Sequence, residues 1–253
     1  MRLLALVLAT AALAGAGCGD DSEAGSGKRP RLVVSAASSM TEALEACAPH
    51  FAGANVRLQF AGSDELAAQI RQGVKPDVFA AANTSLPVEL HADGLLSSPV
   101  EFATNQLVLA VPRDSEIDSL GELARQDVKI AIGSASVPIG SYAREALGRL
   151  PAPQERAILD NVRSNEPDVR GIVGKLTQDA ADAGFIYVTD VEATDGELRS
   201  IALPPELQPT VTYGAGVVQG AERPEQAERF VDQLLDGRCA DALREAGFRP
   251  PPR

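Results

Sequence analysis

Apolar positions along the chain fall into two alternating kinds of block. Compact runs of branched and small apolar residues predict strands at Leu32–Ser35, Asp77–Ala81, Gln106–Val111, Val128–Ile132, Gly184–Tyr187 and Arg199–Ala202. Asn55–Phe60 alternates with a period of two, and Thr210–Val218 closes the set. Between them, apolar residues three and four positions apart predict helices. Thr41–Phe51 carries Ala43, Leu44, Cys47 and Phe51 on one face. Ser63 opens a helix to Gln72 as its N-cap, with Leu66, Ala67 and Ile70 aligned. Further helices are read at Ser85–Ala92, Ser119–Arg125, Ser141–Leu150, Gln154–Asn161, Asp168–Gln178, Pro224–Leu235 and Ala240–Ala246. Strands separated by helices imply an α/β fold with parallel sheets covered on both faces. No internal repeat interrupts the pattern.

In such sheets ligands sit beyond the carboxyl ends of strands, where helices begin and present free N–H groups with partial positive charge. Three predicted strands run into small, hydroxyl-rich turns: Ala36-Ala37-Ser38-Ser39-Met40-Thr41, Ala61-Gly62-Ser63, and Gly133 to Tyr142 through Ser134, Ser136, Pro138 and Ser141. None carries Lys, Arg or His. Each alone reads as an ordinary helix cap; three at strand ends in one chain point to a neutral, donor-rich anion site.

The N-terminus sets the compartment. Met1 and Arg2 precede an apolar run from Leu3 to Ala16, too short at about 1.5 Å per residue to span a core of roughly 30 Å. It reads as a secretory signal over 1–18. Gly15, Ala16 and Gly17 lead into Cys18, a lipobox-like ending that would make Cys18 the lipidated N-terminus, although the usual Leu three places before is absent. A soluble secreted form is the alternative. Residues 19–30 hold no large apolar side chain and read as a flexible tether. The protein is thus expected at the outer face of the cell membrane, or in the periplasm.

Composition narrows the function. The chain has 253 residues, a net charge of −12 and 4% aromatics, so packing rests on aliphatics, and nucleic-acid binding, which needs clustered cations, is set aside. Any anion site must therefore be local. Cys47 and Cys239 remain after Cys18; in an exported chain they can form a disulfide closing the C-terminus onto the first helix, two free buried thiols being the alternative. His50 and His91 are distant from the turns, and no nucleophile elbow, His-Glu-x-x-His or Cys-x-x-Cys pattern is present. An enzyme is disfavoured, and a structural surface protein would need an exposed apolar patch.

Several segments in order resemble one family: Val33-Val34-Ser35-Ala36-Ala37-Ser38-Ser39-Met40-Thr41-Glu42-Ala43-Leu44, Phe60 to Ile70 with Ala61-Gly62-Ser63-Asp64-Glu65-Leu66, Pro76 to Asn83, Val137-Pro138-Ile139-Gly140-Ser141-Tyr142 through Leu147, Asp168-Val169-Arg170-Gly171, Gly184 to Asp190, and Ala246-Gly247-Phe248. Together they resemble the periplasmic molybdate-binding proteins that feed ABC transporters. The resemblance implies a two-lobed type II periplasmic binding protein fold, with two mixed or parallel sheets flanked by helices and a two-strand hinge. Lobe one would be 31–104 and 214–253, lobe two 105–213, with Gln106–Val111 and Val211–Val217 as the crossing strands.

It further implies that molybdate, and with it tungstate, is held in the cleft by neutral donors: hydroxyl and N–H of Ser39 and of Ser63, the N–H groups of Ile139 and Val169, and the Tyr187 hydroxyl. Ser38 is a secondary candidate. Ile139 stands where the family often has Ala, and Gly62 where it often has Ser. Arg170 is expected to pair with a carboxylate outside the ligand set. No metal cation and no cofactor are expected, and the implied partner of a monomeric chain is the membrane permease. Sulfate or another small anion is the alternative ligand.

Overall fold

The computed structural model describes residues 29–251. The export segment, Cys18 and most of the tether expected over 19–30 lie outside these residues. No described helix is long and apolar enough to cross a membrane.

The chain begins β1 (Arg31–Ala37), α1 (Thr41–Cys47), β2 (Asn55–Ala61), α2 (Ser63–Arg71), β3 (Val78–Ala81), α3 (Ser85–Ala92) and β4 (Val100–Asn105). It continues through β5 (Leu107–Pro112), β6 (Ile130–Gly133), α4 (Pro138–Leu147), α5 (Ala152–Leu159), β7 (Val162–Glu166), α6 (Val169–Thr177), β8 (Ala183–Tyr187), α7 (Val188–Glu192) and β9 (Leu198–Ala202). It ends with β10 (Val211–Val217), α8 (Pro224–Leu235) and α9 (Arg238–Glu245). Two five-stranded sheets form among the described residues, in the orders β2-β1-β3-β10-β4 and β7-β6-β8-β5-β9.

Both sheets are mixed. β1 runs parallel to β2 and β3, and β6 parallel to β7 and β8. β10 and β5 run antiparallel to their neighbours. These two strands enter straight from the other sheet instead of over a crossover helix, the connection that parallel pairing requires. The chain passes between the sheets at Gln106 and again over 203–210. Of the expected crossing strands, Val211–Val217 and Gln106–Val111, the structure places the first in one sheet as β10 and the second in the other as Leu107–Pro112; the crossings are the links that precede them. At the first link the Asn105 side chain accepts the Gln106 N–H at 2.8 Å, which removes that donor from the ladder and parts β4 from β5.

Some boundaries differ from the pattern. α4 starts at Pro138 rather than Ser141, since proline fits the first helical position, where an N–H would have no partner. α1 stops at Cys47, and Ala48–His50 tightens into a 3₁₀ turn around Pro49 rather than continuing to Phe51. β4 and β7 are absent from the hydrophobic pattern. β7, with sequence Val-Arg-Ser-Asn-Glu, is an edge strand with one apolar residue and alternating burial, too polar to register as a strand.

The core is aliphatic. Leu32, Val34, Ile130, Ile132, Leu107 and Leu109 are fully buried in the central strands. α1 and α9 pack together, and Cys47 and Cys239, separated by 192 positions in sequence, are joined by a disulfide with Cα atoms 5.0 Å apart. Phe51 and Phe230 meet edge-to-face beside it, with ring centroids at 5.4 Å. Closing so long a loop restricts the unfolded chain, a stabilisation of about 4–5 kcal/mol in the chain-entropy model. The Cys47→Ser/Cys239→Ser double variant should therefore unfold about 5–15 °C lower by calorimetry; an unchanged midpoint would mean that the bond contributes nothing.

Candidate functional site

The carboxyl ends of β1, β2 and β6 face one another across the gap between the sheets, and each feeds a helix that begins there. A small cavity results, partly open to solvent, with about 10 Å³ of room for the centre of a water-sized guest. Ala37, Ser38, Ser39, Gly62 and Ser63 line it from one side; Val137, Ile139, Asp168, Val169 and Tyr187 line it from the other. The structure thus brings Ser39, Ser63, Ile139, Val169 and Tyr187, with Ser38, around one space. No Lys, Arg or His is among the lining residues.

Ser63 and Val169 are the first residues of their helices and Ile139 the second. Their N–H groups lie in the turn that has no acceptor within the helix. Ser39 sits in a 3₁₀ turn, Ser38–Met40, that runs directly into α1. Four helical N-termini therefore converge, each bringing unpaired donors and the positive end of a peptide dipole. Asp168, the acidic lining residue, is turned into its own helix cap, where it accepts the Gly171 N–H at 3.0 Å.

Close backbone approach makes this convergence attainable. A Cβ on Gly140 would strike the carbonyl oxygens of Gly133 and Ser134, and one on Gly133 would lie 2.6 Å from the Gly140 nitrogen. Paired glycines thus let the first turn of α4 sit on the end of β6. A Cβ on Gly62 would meet the Pro167 carbonyl from the opposite side, so the missing side chain at this position lets the two walls approach.

The hydroxyls are in distinct states. Ser63 Oγ accepts the Ala82 N–H at 3.1 Å. Ser39 Oγ is 2.9 Å from the Tyr213 hydroxyl. Tyr187, 1% exposed, has a buried hydroxyl with no partner in the protein. Burying a hydroxyl unpaired costs about 1–3 kcal/mol, and a polar atom left so in a cavity wall is suited to a guest. Burial pushes the Tyr187 phenol well above its ordinary value, with Tyr213, Tyr142 and Asp190 adding in the same direction, so it remains a neutral donor.

Asp190 lies just behind it in α7, 6% exposed, and accepts the Tyr187 N–H at 3.3 Å. Burial holds its carboxyl well above the usual range, partly opposed by that N–H and by Arg170. The wall behind the cavity is therefore held toward neutrality. Arg170 itself points away from the cavity and pairs with Glu42 at 2.6 Å, reaching from α6 to α1 across the gap.

Sequence reading missed Tyr213 and Asn105. The available signal was scarcity: the chain has 3 tyrosines, and Tyr213 stands in an apolar strand, where a phenol must find a buried partner.

The family described as bacterial extracellular solute-binding protein matches residues 32–249. The molybdate-binding protein ModA of Mycobacterium tuberculosis is 31% identical over 246 residues, covering 92% of each chain. The molybdate-binding protein ModA of Escherichia coli is 29% identical over 235 residues, covering 86% of this chain and 88% of that one. Among solved structures, the periplasmic molybdate-binding protein of Azotobacter vinelandii superposes with a TM-score of 0.78 at 21% identity, covering 87% of this chain and all of that one (100%), a likeness of fold.

Two outcomes test the site without any ligand. Tyr187→Phe removes an unpaired buried hydroxyl, so the ligand-free protein should keep its stability or gain up to about 1 kcal/mol in urea unfolding; a loss larger than that would mean the hydroxyl supports the fold. For Asp190 the folded value lies above the unfolded one, about 3.9. Its stabilising contribution is complete below that pH and is lost as pH rises through the folded value. The stability of Asp190→Asn relative to the parent should accordingly increase from pH 4 to pH 7.5. A pH-independent difference would show ordinary titration.

Proposed function

The chain belongs to the bacterial extracellular solute-binding protein family, and from that premise we propose that it captures molybdate, and tungstate with it, in the cavity between its two sheets and delivers the anion to an ABC importer. The observation that carries the ligand class is the cation-free lining that joins four helical N-termini, two serine hydroxyls and an unpartnered tyrosine hydroxyl. The relatives named as molybdate-binding proteins, aligned over most of the chain, support the choice of molybdate within that class.

The ligand-binding residues in this reading are Ser39 and Ser63, each through hydroxyl and N–H, Ile139 and Val169 through N–H, and Tyr187 through its hydroxyl, with Ser38 secondary. A dianion buried without a counterion must have its oxygens hydrogen-bonded. Charge-assisted bonds contribute about 1.5–3 kcal/mol each, so five supply about 7.5–15 kcal/mol against an association cost of roughly 4–15 kcal/mol. No proton moves and no covalent bond forms; the residues only donate.

Because donors come from both walls, ligand binding favours the closed arrangement, with the crossings at Gln106 and 203–210 as hinge. The Arg170–Glu42 pair adds an exposed contact across the same gap, worth about 0–1 kcal/mol. The permease would read the closed form. Cys18, acylated, would keep the exported protein at the membrane surface.

Thermal unfolding with molybdate, tungstate, sulfate and phosphate added separately tests this. A ligand at 100 times its dissociation constant stabilises by about 2.7 kcal/mol, so molybdate and tungstate should raise the midpoint by about 5–10 °C. Sulfate matching molybdate at equal concentration would overturn the assignment of ligand, and silence from all four would overturn the oxyanion reading. Ser39→Ala and Ser63→Ala should each weaken molybdate binding about tenfold or more in calorimetric titration.

A further inference from the structure

Behind the cavity runs a short polar chain that none of the five proposed ligand-binding residues explains. Tyr213 is fully buried in β10, enclosed by Phe102, Phe248 and Tyr187 at ring-centroid distances of 6.1, 5.3 and 6.0 Å. Its hydroxyl lies 2.9 Å from Ser39 Oγ and 3.4 Å from Asn105 Nδ2. Asn105 Nδ2 also donates to Thr189 Oγ1 at 2.9 Å, and Asn105 Oδ1 accepts the Gln106 N–H at 2.8 Å.

The direction of every proton in this chain follows from the inventory of donors and acceptors. The Gln106 N–H can only donate, so it fixes the Asn105 oxygen on its own side and turns the Asn105 amide nitrogen toward Tyr213 and Thr189. That nitrogen can only donate, so the Tyr213 oxygen accepts from it. The Tyr213 proton then has one acceptor within reach, Ser39 Oγ. Were Ser39 to donate to Tyr213 instead, the phenolic hydrogen would be buried with no acceptor, at a cost greater than that of a net hydrogen bond. Burial keeps the phenol protonated throughout the neutral range.

We infer that Tyr213 is a positioning residue: it donates its proton to Ser39 Oγ, on a lead that starts at Asn105 in the interlobe crossing, and so leaves the Ser39 proton to point at the bound oxyanion. A free serine hydroxyl can donate or accept; this one is held as a donor before the guest arrives. Ser63 is held the same way by a simpler device, the Ala82 N–H on its oxygen. The hinge itself enters the arrangement, because Asn105 reaches from the end of β4 to Thr189 in α7, on the side of the second sheet.

The inference rests on the oxyanion reading above, and a double-mutant cycle separates the two. Molybdate affinity is measured by calorimetric titration for the parent, Tyr213→Phe, Ser39→Ala and the double variant, with thermal midpoints recorded alongside. Tyr213→Phe should weaken binding about threefold to tenfold in the parent. In the Ser39→Ala background the same change should have no effect, because its influence passes through the missing hydroxyl. An equal loss in both backgrounds would mean that Tyr213 merely supports the fold, and no loss in the parent would remove the relay; either overturns the inference while leaving the ligand assignment standing. Failure of the parent to bind molybdate overturns the function first. If Tyr213→Phe does not fold, Asn105→Ala takes its place in the cycle with the same two criteria.

Discussion

The site depends on hydrogen-bond donors that converge without a cation among the lining residues, the one lining carboxylate, Asp168, being turned into its own helix cap. Cations would attract almost any anion; donors without charge select for a guest that can only accept. The arrangement demands that four backbone segments end at nearly the same point, and that each hydroxyl there have its proton free. Two serines meet the second condition because their oxygens are already occupied, one by a main-chain N–H and one by a phenol. Tyr187 meets it by having no partner at all.

The rest of the architecture holds those segments in place. Mixed sheets arise because the chain crosses twice between them, and the strand that follows each crossing, β5 or β10, runs antiparallel to its neighbours. The crossings leave one sheet on each side of the cavity, so the donors are divided between the two sheets. Glycines at 133 and 140 permit the closest of the backbone contacts. The disulfide ties α9 back to α1, the helix that continues from Ser39, and so anchors the C-terminal helices to the wall of the site. The acidic chain, at net charge −12, supplies no general attraction for anions; the field at the cavity is made locally by helix ends, with Asp168 capped and Asp190 held toward neutrality.

Much of this was legible without coordinates. Buried parallel strands such as Leu32–Ser35 and Val128–Ile132 announced themselves as aliphatic runs, and the hydroxyl-rich turns after these and after Asn55–Phe60 pointed to a neutral anion site, within which the resemblance singled out Ser39 and Ser63. Ile139, Val169 and Tyr187 came from the resemblance, since an N–H donor leaves no trace in side-chain chemistry. Strands β4 and β7 escaped because a polar edge strand, or a strand whose apolar residues alternate weakly, carries little periodic signal. Helix α4 was expected three residues late, from Ser141, because Pro138 was placed in the hydroxyl-rich turn rather than at the first helical position.

What the sequence determined by itself is the local order: which segments extend, which coil, and that neutral donors follow three of the strands, because these depend on side-chain period and capping chemistry within a few residues. What only the tertiary structure decided is orientation. Tyr213 and Ser39 lie 174 residues apart and meet through the pairing of β10 with β3. The direction of the proton between them depends on a third residue, Asn105, whose amide is fixed by the chain's own passage from one sheet to the other. A hydroxyl's role as donor or acceptor belongs to its neighbours, and those neighbours are chosen by the fold.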